Sequence, residues 1–125
     1  MIVFDTNAIL RYILQDNEEM ADLVEKQMQK TECFVPTEVV AEIVYVLSRV
    51  YKIPHNEISE AINDVLSMEC ILTADYDAIT KGLEVYAQTN FDFVDCLMIG
   101  YQHKGYTVFT FDKALKKYLQ KSTGE

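Results

Sequence analysis

Short apolar segments alternate with longer segments of helical periodicity along this chain. The short segments have the length and composition of buried strands, and they lie at residues 2–4, 33–35, 70–72 and 107–111. The longer segments carry apolar residues on one side at helical spacing. Strands that alternate with helices are typical of a parallel sheet covered on both faces. We therefore predict an α/β fold, a three-layer α/β/α sandwich with a short, mainly parallel central sheet of four or five strands.

The predicted helices fill the segments between these strands. They occupy roughly residues 8–14, 18–30, 37–51, 56–67, 75–90, 91–104 and 113–121. The chain has 125 residues and half of them are apolar, which is enough for one domain with a core. We predict a single domain over residues 1–121 and a frayed tail over residues 122–125.

The cysteines and the N-terminus restrict the class of protein. Cys33, Cys70 and Cys96 lie far apart in the sequence, and no two of them have metal-ligand spacing. We expect them to be reduced thiols in the core of a cytoplasmic protein. The chain begins without the basic and apolar segments of a signal peptide, and no apolar run is long enough for a membrane span.

The charge of the chain is strongly negative but uneven. A formal net charge of −9 argues against a broad electrostatic surface for nucleic acid. Residues 104–125 nevertheless contain five lysines against Asp112 and Glu125, which makes this segment +3 and the preceding segment −12. The lysines form either a solvated helix face or a contact surface for a nucleic-acid backbone, with Lys113, Lys116 and Lys117 as the candidates.

Four carboxylates are placed where they can meet. Asp5 and Asp112 each end a predicted strand, so both emerge at one edge if these strands are neighbours. Asp95 lies in the first turn of the helix before the last strand, and Glu42 borders the apolar face of the longest helix. Crowded carboxylates raise one another's pKa unless a cation joins them. Oxygen ligands of this kind suit Mg²⁺ or Mn²⁺.

Each candidate also has a structural interpretation. Glu42 can be a helix-flank residue, and several others can be helix caps or first-turn residues: Asp5, Thr6, Asp92, Asp95 and Asp112. The two histidines, His55 and His103, lack metal-site spacing and are expected at the surface. Four aromatic residues are expected in the core: Phe91, Phe93, Tyr101 and Phe109.

Four motifs in order raise the weight of the functional interpretation. They are an apolar run before Asp-Thr-Asn (5–7), Pro-x-x-Val-Val-x-Glu (36–42), Asp-x-x-x-Ile at a helix start (95–99) and Thr-Phe-Asp-Lys (110–113). Together they resemble the PIN domain, and in particular the small VapC-like toxins of prokaryotic toxin–antitoxin pairs. The resemblance extends from Ile2 to about Leu119.

This resemblance implies an endoribonuclease that hydrolyses RNA phosphodiester bonds with Mg²⁺ or Mn²⁺. The metal-binding and catalytic residues that it implies are Asp5, Glu42, Asp95 and Asp112. It further assigns a supporting role to Asn7 and Thr110 and a neighbouring or capping role to Asp92 and Thr6. The implied partners are the RNA substrate, a small cognate antitoxin and a second copy of the chain in a homodimer. Members of the family often have a fifth strand after the last helix, which residues 122–125 are too short to supply.

Three other classes of protein compete with this interpretation. A PIN-like scaffold would bind a partner without catalysis. A haloacid-dehalogenase-like phosphatase would need an acid two residues after Asp5, where this chain has Asn7. A response-regulator receiver would need an aspartate after a middle strand, which Asp75 matches weakly, and a lysine after the last strand, where this chain has Asp112.

Overall fold

The computed structural model describes residues 1–122, and three short strands alternate there with helices. The strands are β1 (Ile2–Val3), β2 (Cys33–Phe34) and β3 (Ile71–Leu72). The helices are α1 (Thr6–Leu14), α2 (Glu18–Lys30), α3 (Thr37–Arg49), α4 (His55–Leu66), α5 (Tyr76–Gln88), α6 (Phe93–His103) and α7 (Lys113–Ser122). The helical segments predicted from periodicity are therefore all present, with ends that differ by a few residues.

The strands form one parallel sheet in the order β1-β2-β3. Ile2 pairs with Cys33, and Cys33 pairs with Ile71. Beyond the strands, the N–H of Phe4 donates to the carbonyl oxygen of Phe34 at 2.9 Å. Because the strands are parallel, their carboxyl ends share one edge, and the segments leading into α1, α3 and α5 leave the sheet there. The prediction of an α/β fold with a small parallel sheet is confirmed.

The predicted fourth strand is wrong. Residues 107–111 have no backbone hydrogen bond to β1 in the described chain, so the sheet has three strands and neither four nor five. The side chains of Phe109 and Phe111 are each 85% exposed and contact each other edge to face, with ring centroids 5.3 Å apart. The expectation that Phe109 lies in the core is therefore also wrong. The outer edge of β1 is open, and Val3 is exposed.

The core surrounds β2 and the helices that pack beside it. Cys33 and Val35 are buried on the central strand and just after it. Helices α5 and α6 lie so close that a Cβ atom on Gly100 would collide with the backbone carbonyl of Ala78. A side chain at this position of α6 would push the helices apart, so glycine permits the close packing. The hydroxyl of Ser59 joins α4 to α5 by donating to a backbone carbonyl oxygen of α5 at 2.8 Å.

Three further features bear on the sequence predictions. All three cysteines are free, and Cys33 and Cys96 are buried. None of the helices within residues 1–122 is long and apolar enough to cross a membrane. Ser122 belongs to α7, and the rest of the predicted frayed tail, residues 123–125, lies outside the described residues.

Candidate functional site

Asp5 links the end of β1 to the start of α1. Its Oδ1 accepts a hydrogen bond from the backbone N–H of Ala8 at 2.9 Å, so Asp5 is the N-cap of α1. Thr6 is the first residue of the helix, and Asn7 is exposed beside it. The capping interpretation of Asp5 is confirmed, and capping occupies only one of its two carboxylate oxygens.

Asp112 has the same role at the start of α7. Its Oδ1 accepts a hydrogen bond from the N–H of Leu115 at 2.8 Å, and its own N–H donates to Oγ1 of Thr110 at 3.1 Å. Thr110 therefore restrains the backbone at Asp112, and its supporting role in a site stays a prediction. The capping bond sets the orientation of the carboxylate, which stays exposed at the surface.

Asp95 is the third residue of α6 and is half-buried. Burial raises the pKa of its carboxyl above the ordinary 3.8, and the negative charges of Asp112 and Asp92 raise it further. Asp112 is 17 positions away in the sequence, so the fold brings these two carboxylates close enough to repel each other. The charges of Asp95 and Asp112 therefore influence each other, and the site roles predicted for both residues stay predictions.

Glu42 lies on the exposed side of α3. In the part of the chain that the structure describes, no three His, Cys, Asp or Glu side chains are arranged to hold a metal ion. Within the described residues, Asp5, Glu42, Asp95 and Asp112 therefore do not form such a group. The four-carboxylate site stays a prediction from the sequence.

Asp92 occupies the N-cap position of α6, but its side chain makes no capping hydrogen bond, so the capping role expected for it is wrong. Its carboxylate is 80% exposed and lies 3.9 Å from the guanidinium of Arg49 on α3. A pair this exposed contributes little to stability. Asp92 therefore adds negative charge near Asp95 and leaves Arg49 free to bind another partner.

Asp75 is a further carboxylate at the carboxyl edge of the sheet, after β3. Its Oδ2 accepts hydrogen bonds from the hydroxyls of Tyr101 at 2.9 Å and Thr37 at 3.4 Å. Lys104 lies 4.0 Å from its other oxygen. Both oxygens are therefore occupied by partners from α3 and α6, which indicates that Asp75 holds these helices at the end of β3.

The three lysines proposed for RNA contact are exposed on the first two turns of α7. Lys113, Lys116 and Lys117 follow Asp112 directly along the chain. None of the three has an ion pair with another residue of the described chain. Their positive charges therefore stand next to the carboxylate that caps the same helix.

Sequence reasoning missed the environment of His55. This residue begins α4 and is half-buried, with its ring stacked on that of Tyr86 at a centroid distance of 3.8 Å. Its Nδ1 lies 3.0 Å from two backbone carbonyl oxygens, those of Tyr86 and Thr89. Neither partner is near His55 in the sequence, so no local pattern could have identified this fixed imidazole.

Comparisons with known proteins agree with the order of the motifs. A profile of the PIN domain matches residues 2–119. The VapC ribonuclease of Aquifex aeolicus (strain VF5) is 30% identical over 101 residues, which are 78% of this chain and 75% of the relative. No solved structure gives a significant match. Because the profile covers nearly the whole chain, this protein belongs to the PIN domain family.

Proposed function

We propose that this protein is a metal-dependent endoribonuclease and the toxin of a VapBC-type toxin–antitoxin pair. Membership of the PIN family and similarity to a relative named VapC ribonuclease support the reaction class. The structural observation that carries the proposal is the pair of Asp95 and Asp112. Burial and the nearby negative charges of Asp112 and Asp92 raise the pKa of Asp95 and so disfavour its charged form, a cost that a divalent cation would relieve.

The chemistry of the donor set fits Mg²⁺ or Mn²⁺. Mg²⁺ is commonly held by one or two carboxylates, while water and substrate phosphates complete its coordination. We assign Asp95 and Asp112 as the central ligands and Asp5 and Glu42 as the residues that complete the set. When bound, such an ion lowers the pKa of a water molecule and stabilises the charge that develops at the attacked phosphodiester.

The capping bonds of Asp5 and Asp112 serve this proposed site by restricting their carboxylates. Each uses Oδ1 to accept from a helix N–H, which leaves the second oxygen for a ligand. A ligand whose rotamer is fixed before binding loses less conformational entropy. Thr110 supports this arrangement through the backbone of Asp112, and we assign Asn7 a similar supporting role beside Asp5.

The proposed substrate and partners follow from the same assignment. Lys113, Lys116 and Lys117 contact the RNA backbone beside Asp112, where their charge offsets the acidic remainder of the chain. A small cognate antitoxin controls the enzyme, and the toxin forms a homodimer. We also propose a cytoplasmic location, which the RNA target of the proposed activity and the three free cysteines support.

The experiment that tests this function is cleavage of a fluorophore-labelled RNA by the purified protein. We expect cleavage with Mn²⁺ or Mg²⁺ and none with EDTA. Asp95→Asn should lower the rate by about a hundredfold or more, because loss of a ligand misplaces the ion and its water together. Asp22→Asn, which removes an exposed carboxylate from α2, is the matched control and should cleave at the wild-type rate.

A PIN-like scaffold without catalysis is the second candidate. The observation that favours it is that residues 1–122 do not gather three metal-ligating side chains. Asp5→Asn separates the two candidates, because asparagine caps a helix about as well as aspartate and removes only the charge. If Asp5→Asn cleaves RNA about a hundredfold more slowly than the wild type and melts at the same temperature, the enzyme hypothesis is supported. A wild-type protein that leaves RNA intact in Mn²⁺ and in Mg²⁺ supports the scaffold.

A further inference from the structure

A cavity of about 470 Å³ lies beside Asp95, between α3, the start of α4, the end of α5 and the start of α6. We call it the α3–α6 cavity. Its volume is within the range of pockets that hold small ligands. Asp95 and Asp92 form part of its wall, so it opens next to the carboxylate pair. A ligand in this cavity would therefore contact the proposed catalytic site directly.

The wall of the α3–α6 cavity combines an aromatic ring, a cation and neutral polar groups. Tyr45 is 61% exposed, and the guanidinium carbon of Arg49 lies 5.8 Å from the centre of its ring. Ser48, His55 and Asn90 add hydrogen-bonding groups to the same wall. Arg49 is 62% exposed, and its ion pair with Asp92 is long at 3.9 Å, so the guanidinium can turn to an anionic ligand at little cost.

The imidazole of His55 is fixed before any ligand arrives. Its Nδ1 faces two carbonyl oxygens, which only accept hydrogen bonds, so Nδ1 carries a proton. Stacking on Tyr86 with an interplanar angle of 10° holds the plane of the ring. Nε2 makes no hydrogen bond to the described residues and is the nitrogen left for a ligand. Because the imidazole ring is already fixed in one orientation, less conformational entropy is lost when a ligand binds in the cavity.

We propose that the α3–α6 cavity binds a nucleotide of single-stranded RNA next to the phosphodiester that is hydrolysed. This inference rests on the proposed function, because it takes the substrate to be RNA. Single-stranded RNA is recognised by aromatic rings and guanidinium planes that stack on bases and by polar groups that bond to base edges. Tyr45 supplies the stacking surface, Arg49 the charge for the phosphate, and Ser48, His55 and Asn90 the contacts to the base.

The acidity of the chain strengthens this assignment. The chain repels an RNA backbone at most of its surface, because its first 103 residues carry a net charge of −12. Arg49 is the cation in the wall of a cavity that also contains Asp95. Arg49 of α3 would hold a nucleotide in the cavity near Asp95. The lysines of α7 lie beside Asp112.

The test measures binding without catalysis. A labelled single-stranded oligoribonucleotide is titrated with the full chain in EDTA, so that no RNA is cleaved. Tyr45→Ala and Arg49→Gln should each weaken binding by roughly tenfold, as expected for the loss of one base stack or one charged hydrogen bond to phosphate. Tyr45→Phe keeps the ring and should bind like the wild type. The matched controls on exposed helix surfaces outside the cavity, Tyr76→Ala and Lys26→Gln, should leave the affinity unchanged.

Kinetics and competition complete the test. In Mn²⁺, the same two cavity variants should raise KM by roughly tenfold and leave kcat within about a factor of two, because they remove binding that is uniform in ground and transition states. Adenosine monophosphate should displace the labelled RNA at concentrations where inorganic phosphate does not. Unchanged affinity in both cavity variants, or equal displacement by the two competitors, would overturn the proposal. A wild-type protein that binds RNA in this pattern and cleaves none would refute the enzyme and leave the nucleotide site standing.

Discussion

Replacement of Asp95 by asparagine is expected to change the stability of the protein in opposite directions with and without metal. Asp95 lies in the first turn of α6, where the helix dipole favours a negative charge by about 0.3–1 kcal/mol. Burial and the charges of Asp112 and Asp92 outweigh this gain, because together they raise the pKa of Asp95 above 3.8. The neutral asparagine should therefore stabilise the metal-free protein at pH 7.

The sign of the pH dependence follows from the same shift. The pKa of Asp95 is higher in the folded state than in the unfolded state, so the folded protein binds this proton more tightly. Its contribution to stability is fully present below the unfolded pKa and is lost as pH rises through the folded pKa. The advantage of Asp95→Asn in EDTA should hence be largest at pH 7 and should shrink as pH falls towards 4. Each unit of pKa difference is worth about 1.4 kcal/mol.

Metal is expected to stabilise the wild type much more than Asp95→Asn. An ion that binds only the folded form adds about 2.7 kcal/mol of stability at a hundred times its Kd. An unfolding entropy of about 2.1 cal/mol/K per residue, applied to 125 residues, converts this into a rise in Tm of roughly 10 °C. Asp95→Asn removes a ligand, so its rise in Tm should be much smaller than that of the wild type.

Thermal melts in EDTA and in millimolar Mn²⁺ at pH 7 measure both effects. Asp22→Asn serves as the control, because it removes a negative charge from an exposed position on α2. It should show the wild-type response to metal. If the Tm of the wild type is the same in EDTA and in Mn²⁺, and Asp95→Asn has a lower Tm in both buffers, then Asp95 is a structural first-turn residue and the proposed metal site is absent. A metal-free Asp95→Asn that is less stable at pH 7 than the wild type would show that the helix dipole outweighs burial and repulsion.

Two further predictions each compare two residues of the same type. In the RNA-cleavage assay, Asp92→Asn should keep most of the ribonuclease activity, because the Asp92 side chain is 80% exposed and makes no capping bond. Asp95→Asn should lose most of that activity. The reverse result would place the metal ligand one helical turn earlier. Burial raises the pKa of the Cys96 thiol to about 11, so about one molecule in a thousand carries the thiolate at pH 8. Peptide mass spectrometry after brief iodoacetamide treatment of the folded protein should therefore find the half-buried Cys70 labelled and Cys96 unlabelled, and preferential labelling of Cys96 would contradict its buried environment.

The helices could be predicted from the sequence because their causes are local. An apolar stripe at helical spacing and a capping aspartate act within a few residues of each other. The segment 107–111 shows the limit of local reasoning. Its composition suits a strand, but a strand also needs a partner backbone, and the open edge of β1 receives no hydrogen bond from these residues. Phe109 and Phe111 contact each other and stay exposed.

The features of the candidate site also divide into those set by nearby residues and those set by distant contacts. That Asp5 and Asp112 begin helices could be predicted, because capping is local. Whether Asp95 and Asp112 form one site depends on how α6 and α7 pack. The positions of the predicted strand ends and helix starts suggested that they can meet, and the resemblance to the family strengthened this expectation. The fixed ring of His55 gave no signal at all, since its two carbonyl partners lie 31 and 34 residues further along the chain.

The distribution of charge explains how an acidic protein can act on RNA under the proposed function. The acidic surface repels the phosphate backbone of RNA wherever the local charge is negative, so it suppresses non-specific RNA binding at those places. Arg49 lines the α3–α6 cavity together with Asp95, and the α7 lysines follow Asp112 along the chain. A strand of RNA held by both groups would pass over the pair itself. Under the proposed function, a cation held by the carboxylate pair would add to the attraction of RNA at this position.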